Sequence, residues 1–356
     1  MTEENTTNPF TLDNTQKDSM VSFAIGTFIL AIVFLLGVPG NLFIIWSILA
    51  RTRKRSVTTL IILNLACADG AIMCLTVFFI VYLAKQSWVF GRFMCKLLFY
   101  LCNTNMYASI MLITLMSLHR LATVLRPQGA HIFRRRRNVL SILIVLWVLV
   151  FALSIPALIF REEIVENNNR LLCLHNHTDP KYEVFHLSLE TVVGFLLPYA
   201  IIVSSYVCIL QRLRQTQFKR RLRSEKLILA IIITFAAFWL PYHIINTMQV
   251  VSACAPEHSQ LHEKLKTIYL YRPTTSSLAF ISSCANPVLY ALAGRSYIRA
   301  DGLSFMARLF EGTALEISNG TLRFQRKVSR AGQAVFMLKN CDSSANNTDR
   351  KTDRDS

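Results

Sequence analysis

Seven long apolar stretches alternate with short polar segments along the chain, at residues 20–49, 57–84, 93–125, 138–160, 184–210, 227–251 and 267–293. Each is long enough to cross about 30 Å of hydrocarbon. Lipid cannot satisfy a backbone amide, so each must be a helix or a strand of a closed barrel. Their length and lack of period-2 alternation select helices. The pattern predicts an all-α membrane protein: a seven-transmembrane helix bundle at 20–294 behind an outer tail at 1–19. At 296–310, Ile298, Phe305, Met306, Leu309 and Phe310 stand among basic residues. That spacing predicts a short amphipathic eighth helix on the membrane surface, within 295–311. The polar residues 312–356 are expected to form a disordered cytoplasmic tail. No repeat relates the two halves, which counts against a transporter.

Composition sharpens this picture. Of 356 residues, 53% are hydrophobic and 17% charged, against about 25% charged in soluble domains. The net charge is +17, and it sits in runs between apolar stretches: Arg51 to Arg55, Arg134 to Arg137, and Arg212 to Arg223. Basic inner loops place the amino terminus outside and the carboxyl terminus inside a multi-pass plasma-membrane protein. This arrangement favours anionic membrane lipid as the partner of the charge, with no nucleic acid. The first 20 residues lack the basic start of a cleavable leader, so the first span is expected to act as the membrane signal. The nine cysteines have no zinc-binding spacing. Asn5 and Asn176 begin glycosylation sequons on segments expected outside; Asn319 and Asn346 begin sequons expected inside.

Polar residues within the spans are costly and point to function. Asp69 lies midway along the second span. Asn41, Asn64, Asn105, Ser109, Ser282 and Asn286 are the other midspan candidates. One carboxylate with oxygen-rich neighbours suits a sodium ion; the alternative is a protonated, hydrogen-bonded Asp69 with no ion. No other cofactor is expected. Pro39, Pro156, Pro198, Pro241 and Pro287 interrupt five spans. They mark either two packings of similar energy or static kinks that shape a cavity.

In order along the seven spans come Gly40-Asn41, Leu65-Ala66-Cys67-Ala68-Asp69, Cys95, Arg120, Trp147, Pro198 with Tyr206, Phe238-Trp239-Leu240-Pro241, and Asn286-Pro287-Val288-Leu289-Tyr290. This series resembles the rhodopsin-like (class A) G-protein-coupled receptors over about residues 20–311. The resemblance implies a heterotrimeric G protein as partner, with arrestin and receptor kinases. It also implies a Cys95–Cys173 disulfide, with Cys254 left over. Arg120, Tyr206, Trp239, Pro241, Asn286, Pro287 and Tyr290 would form the activation switch. Where the family has Asp-Arg-Tyr, this chain has His119-Arg120-Leu121, so the carboxylate that restrains Arg120 is missing and raised basal signalling is expected. No acid stands in the basic stretch opening the sixth span; Glu225 is slightly further along. His119 itself reads as a spectator at the surface.

The outer third of the third span has no acid, so a protonated amine would lack a counter-ion. Arg161 caps the fourth span, Arg272 opens the seventh, and Glu190 stands a turn or two into the fifth, all at similar outer depth. Arginine forks suit a carboxylate, and Phe99, Tyr100, Trp239 and Tyr242 would supply an apolar pocket for a long hydrocarbon body. The alternative for either arginine alone is snorkelling at a helix end. The runs Met106-Tyr107-Ala108-Ser109, Gly194-Phe195-Leu196-Leu197-Pro198 and Thr234 to Tyr242 resemble the leukotriene-receptor branch of the family. That resemblance implies a leukotriene-type lipid carboxylate, leukotriene B4 first, held by Arg161, Glu190 and Arg272, and coupling to inhibitory G proteins in chemotactic signalling. Phe99 stands where that branch often has His. The rivals are a peptide chemoattractant, another eicosanoid, or a channel or transporter. No nucleophile–base pair suggests an enzyme.

Overall fold

The computed structural model describes residues 9–51, 56–125, 136–166, 169–215, 222–256, 259–260, 265 and 268–293, all within the compact unit Met1–Phe310. The expected eighth helix, the tail, Asn5, the centres of the basic inner loops and the side chain of Glu225 lie outside the described residues.

Helix α1 spans Pro9–Trp46, eleven residues earlier than its hydrophobic stretch, and runs on through a π-turn at Ser47–Arg51. Helix α2 spans Val57–Lys85; its first turn is capped by Ser56 Oγ, which accepts from Thr59 N. Its last turn ends on Gln86 at φ 53°. Helix α3 is Gly91–Leu125. Helix α4 is Arg136–Leu153, broken at Ser154 and resumed as Ile155–Phe160 with Pro156 in the new first turn. Pro is tolerated there because that turn's amide has no helical acceptor. Helix α5 comprises Pro180–Thr191, a π-turn at Val192–Leu196 and Leu197–Gln215, the π-turn falling just ahead of Pro198. Helix α6 is Leu222–Cys254 around Pro241, and α7 is Arg272–Ala293 around Pro287.

The helix bundle carries one small addition. The outer link between α4 and α5 carries an antiparallel hairpin, β1 (Arg161–Val165) with β2 (Leu171–His175), pairing Glu163 with Cys173. The adjacent Glu162 and Glu163 obscured the first strand in the sequence. Among the described residues, six helices, α1 to α6, are long and apolar enough to cross a membrane. The seventh, α7, is more polar because it opens on Arg272 and carries Thr274, Thr275, Ser276, Ser277, Ser282 and Ser283. It packs between α1 and α6, while α3 packs against α2, α4 and α5. Ile61, Leu65, Ile110, Leu112, Met116, Phe235 and Tyr290 fill the largest buried cluster. On α4, Ile144, Val145 and Val148 are exposed, the outward face expected of a helix that borders lipid. The approach of α1 to α7 depends on Gly40: a Cβ there would lie 2.8 Å from Pro287 Cγ.

Candidate functional site

The hairpin is fixed over the outer ends of the helices. Cys95, one turn into α3, is bonded to Cys173 of β2, with Cα atoms 5.8 Å apart. Trp88 N donates to Leu171 O at 2.6 Å, and Trp88 Nε1 to Gly91 O at 2.9 Å. Arg92 grips Glu162 with two hydrogen bonds of 2.6 and 2.8 Å, and Lys96 adds a contact at 2.7 Å. These donors and charges hold the Glu162 carboxyl down at about 2.

Beneath the hairpin lies a cavity of about 570 Å³, within the roughly 300–1,000 Å³ of small-molecule sites. Four charged groups are among its described lining residues: Arg161, Arg170 and Arg272 against Glu166. Arg161 opens β1 and is buried; Nη1 donates to Cys173 O at 3.0 Å, and its guanidinium lies 3.7 Å from the centre of the Phe99 ring. Arg272 opens α7, also buried. Its Nη1 donates to Asn246 Oδ1 at 3.1 Å and to Gln249 Oε1, and its Nη2 to Tyr242 OH at 3.4 Å. Trp239 and Tyr242 of α6 meet edge to face in the wall. Thus Arg161, Arg272, Phe99, Trp239 and Tyr242 line the same cavity.

Two of the expected pocket residues do not. Tyr100 points at α4, its hydroxyl donating to Phe151 O at 3.3 Å; on a helix it stands about 100° from Phe99, and only one of the pair can face inward. Glu190 is buried behind the wall, and among the described residues no α5 side chain lines the cavity. Its carboxylate accepts from Asn246 Nδ2 at 2.8 Å and Asn103 Nδ2 at 3.4 Å, with His186 Nε2 at 3.9 Å. A buried carboxylate needs such donors, and α3 and α6 supply them; Asn103 also lines the cavity. Asn246, which joins Glu190 to Arg272, was not anticipated.

A histidine cluster was missed as well. The rings of His175, His177 and His186 lie 5.1 to 5.6 Å apart, with His177 Nε2 3.2 Å from His186 Nδ1. Burial, then neighbouring positive charge, holds His175 below the ordinary imidazole range and His177 down at about 4. The irregular spacing 175, 177, 186 offers no sequence signal. Asn176, between them, is exposed.

Deeper in the bundle, Ser109 Oγ donates to Asp69 Oδ1 at 3.2 Å and Asn286 Nδ2 to Asp69 Oδ2 at 2.9 Å. Asn105 Nδ2 donates to Ser283 Oγ at 3.3 Å. Ser282 does not join this group. It accepts from Trp239 Nε1 at 3.0 Å and donates to Ala279 O at 2.7 Å. Adjacent helical serines face about 100° apart, and the neighbour, Ser283, takes the expected place. Asn41 Nδ2 reaches Ser283 O at 3.3 Å, and Trp147 Nε1 reaches Asn64 Oδ1 at 3.0 Å. At the other end of α3, Arg120 is buried; so is His119, against the expectation of a surface spectator. Tyr206 is half-buried in α5, and Tyr290 is buried near the end of α7. Among the described residues, no group of three or more His, Cys, Asp or Glu side chains could hold a metal ion.

Comparison with known proteins places this architecture. The model of the 7 transmembrane receptor (rhodopsin family) matches residues 40–290. The chain is 43% identical to leukotriene B4 receptor 1 of Homo sapiens over 82% of its length and 83% of that protein's. It is 35% identical to leukotriene B4 receptor 2 of Homo sapiens over 85% of each. Chemerin-like receptor 2 of Rattus norvegicus is 31% identical over 75% of each.

Proposed function

The chain belongs to the seven-transmembrane receptor (rhodopsin) family, and on that premise we propose that it receives a leukotriene-type lipid acid, leukotriene B4 first, and activates a heterotrimeric G protein of the inhibitory type. As a member of that family it is a multi-pass membrane receptor and not an enzyme. One observation carries the ligand reading: Arg161 and Arg272 line one cavity whose remaining walls are largely aromatic and aliphatic. A carboxylate takes the guanidinium donors, and burial of the hydrocarbon adds the rest. The resemblance to two leukotriene B4 receptors agrees. Glu190 supports this site through Asn246 rather than by touching the ligand.

The amino terminus faces outside, so the hairpin and cavity meet the extracellular medium and Asn176 is open to glycosylation. Ligand binding favours the active packing only by its differential affinity for the two states. Trp239 senses the occupied cavity. The Pro241 bend of α6, the 286–290 segment and Tyr206 repack, and Arg120 turns to the G protein. Arrestin and receptor kinases act later on the same inner face. Asp69, Ser109 and the buried Asn105 Oδ1, which has no hydrogen-bond partner, fit a sodium ion that would stabilise the resting packing. His119 beside Arg120 replaces a restraining carboxylate, so ligand-free signalling is raised and His119→Asp lowers it.

The test is nucleotide exchange on a purified inhibitory G protein by the receptor in lipid nanodiscs, with and without leukotriene B4. The parent should accelerate exchange, and Arg272→Ala should shift the response by at least about a hundredfold in ligand concentration. Exchange stimulated by a chemoattractant peptide but not by the lipid would overturn the reading.

A further inference from the structure

The cavity is lopsided, and its shape says where the hydrocarbon goes. Among the described residues, no α5 side chain lines it. That flank is occupied by the chain of contacts from His177 through His186, Glu190 and Asn246 to Arg272. A hydrocarbon forced in there would strip paired polar groups of their partners, which costs far more than the burial returns. The opposite flank, between α1, α2 and α7, is hollow and mostly apolar, with Ser276, Ser277 and Ser283 of α7 also in its lining. Phe23 and Leu30 of α1, Ile72 and Leu83 of α2, and Phe280 of α7 all line the cavity.

An aromatic path joins this flank to the charged end. The Arg161 guanidinium rests on Phe99. Phe99 meets Phe79 edge to face at 5.3 Å, and Phe79 lies 6.0 Å from Phe280. From Phe23 to Leu30 the lining descends seven residues of α1, or about 10 Å. Leu30 and Ile72 are almost fully buried, so the deep end offers methyl groups to the cavity.

We propose that the lobe between α1, α2 and α7 is the acyl-chain subsite: the carboxylate sits at Arg161 and Arg272, the unsaturated chain crosses Phe99 and Phe79, and the tail ends against Leu30 and Ile72. This rests on the lipid-acid reading above and adds the direction of the chain. The receptor therefore measures the length of the tail at α1 and α2.

The experiment compares competition binding of leukotriene B4 and of an analogue shortened by several carbons at the tail, on receptor in nanodiscs. Leu30→Trp fills the deep end. It should weaken leukotriene B4 by at least about tenfold while changing the short analogue less than about threefold. Leu30→Ala, which folds if the larger side chain does not, should weaken leukotriene B4 several-fold and spare the short analogue. Val193→Trp, on the α5 flank, should not discriminate between the two lengths. Equal losses for both ligands in the Leu30 variants, or chain-length discrimination appearing with Val193→Trp, would overturn the subsite. A parent that binds neither ligand refutes the lipid-acid reading itself; a parent that binds both and ignores Leu30 refutes only the subsite.

Discussion

Among the described residues, two carboxylates are sealed inside this bundle, and their surroundings differ. Asp69 is 0% exposed and Glu190 1%. Both are held by neutral donors: a serine and an asparagine at Asp69, two asparagines at Glu190. Around Asp69 the network ends on a surplus acceptor, the unpartnered Asn105 Oδ1. Around Glu190 it ends on a guanidinium, because Asn246 passes the contact on to Arg272. The first network is short of a cation; the second already has one at one remove. The same cost of burying charge thus yields an ion-responsive centre in one place and a rigid brace behind the ligand cavity in the other.

The harshest test of that contrast is Asn246→Leu. It removes the shortest donor to Glu190 and an acceptor of Arg272 together. Thermal unfolding of the detergent-purified receptor should fall by the equivalent of about 2–4 kcal/mol. A benign result would mean that Glu190 is protonated and braces nothing. Next in size is Asp69→Asn. Replacing choline by sodium should weaken agonist binding to the parent by up to about tenfold, on the order of 1.4 kcal/mol, and the variant should show no such shift. Sodium sensitivity that survives the substitution would remove the ion from the first network. A double-mutant cycle of Glu190→Gln and Arg272→Lys, read as leukotriene B4 affinity, should show about 1 kcal/mol of coupling, since the two side chains share Asn246. Strict additivity would separate them.

Glu162, an accessible carboxylate paired with Arg92 and Lys96, gives the smallest effect and sets the scale. Its folded value of about 2 lies below the ordinary carboxylate range, so its contribution is present above that range and is lost as pH falls toward 2. Glu162→Gln should lower the melting temperature at neutral pH by only about 1 °C, because exposed ion pairs are screened. The difference should vanish when the scans are repeated near pH 2.

The spans were legible because lipid thickness and backbone hydrogen bonding leave little choice of element, and the ends of α2 and α3 fall close to where hydrophobicity changes. The early start of α1 was not, since its first eleven residues are polar and helical only in the fold. Arg161 and Arg272 could be named from charge at the outer ends of spans. Tyr100 and Ser282 were each misplaced by one position on a helix, where one step turns a side chain about 100°; depth can be counted along a sequence, but facing depends on how neighbouring helices pack. Glu190 was found for the right reason, a costly charge, but its partners come from helices distant in the chain. Asn246 looks like any polar residue until Glu190 and Arg272 are seen on either side of it.

The bond between Cys95 and Cys173 closes α3, α4 and the hairpin's first strand into a covalent ring across 78 positions of sequence. A single proteolytic nick anywhere inside that ring, for instance in the basic link joining α3 to α4, would therefore leave the two halves tied together. Such clipped molecules would migrate as one species until a reductant is added, so damage there stays hidden in any assay run under oxidising conditions.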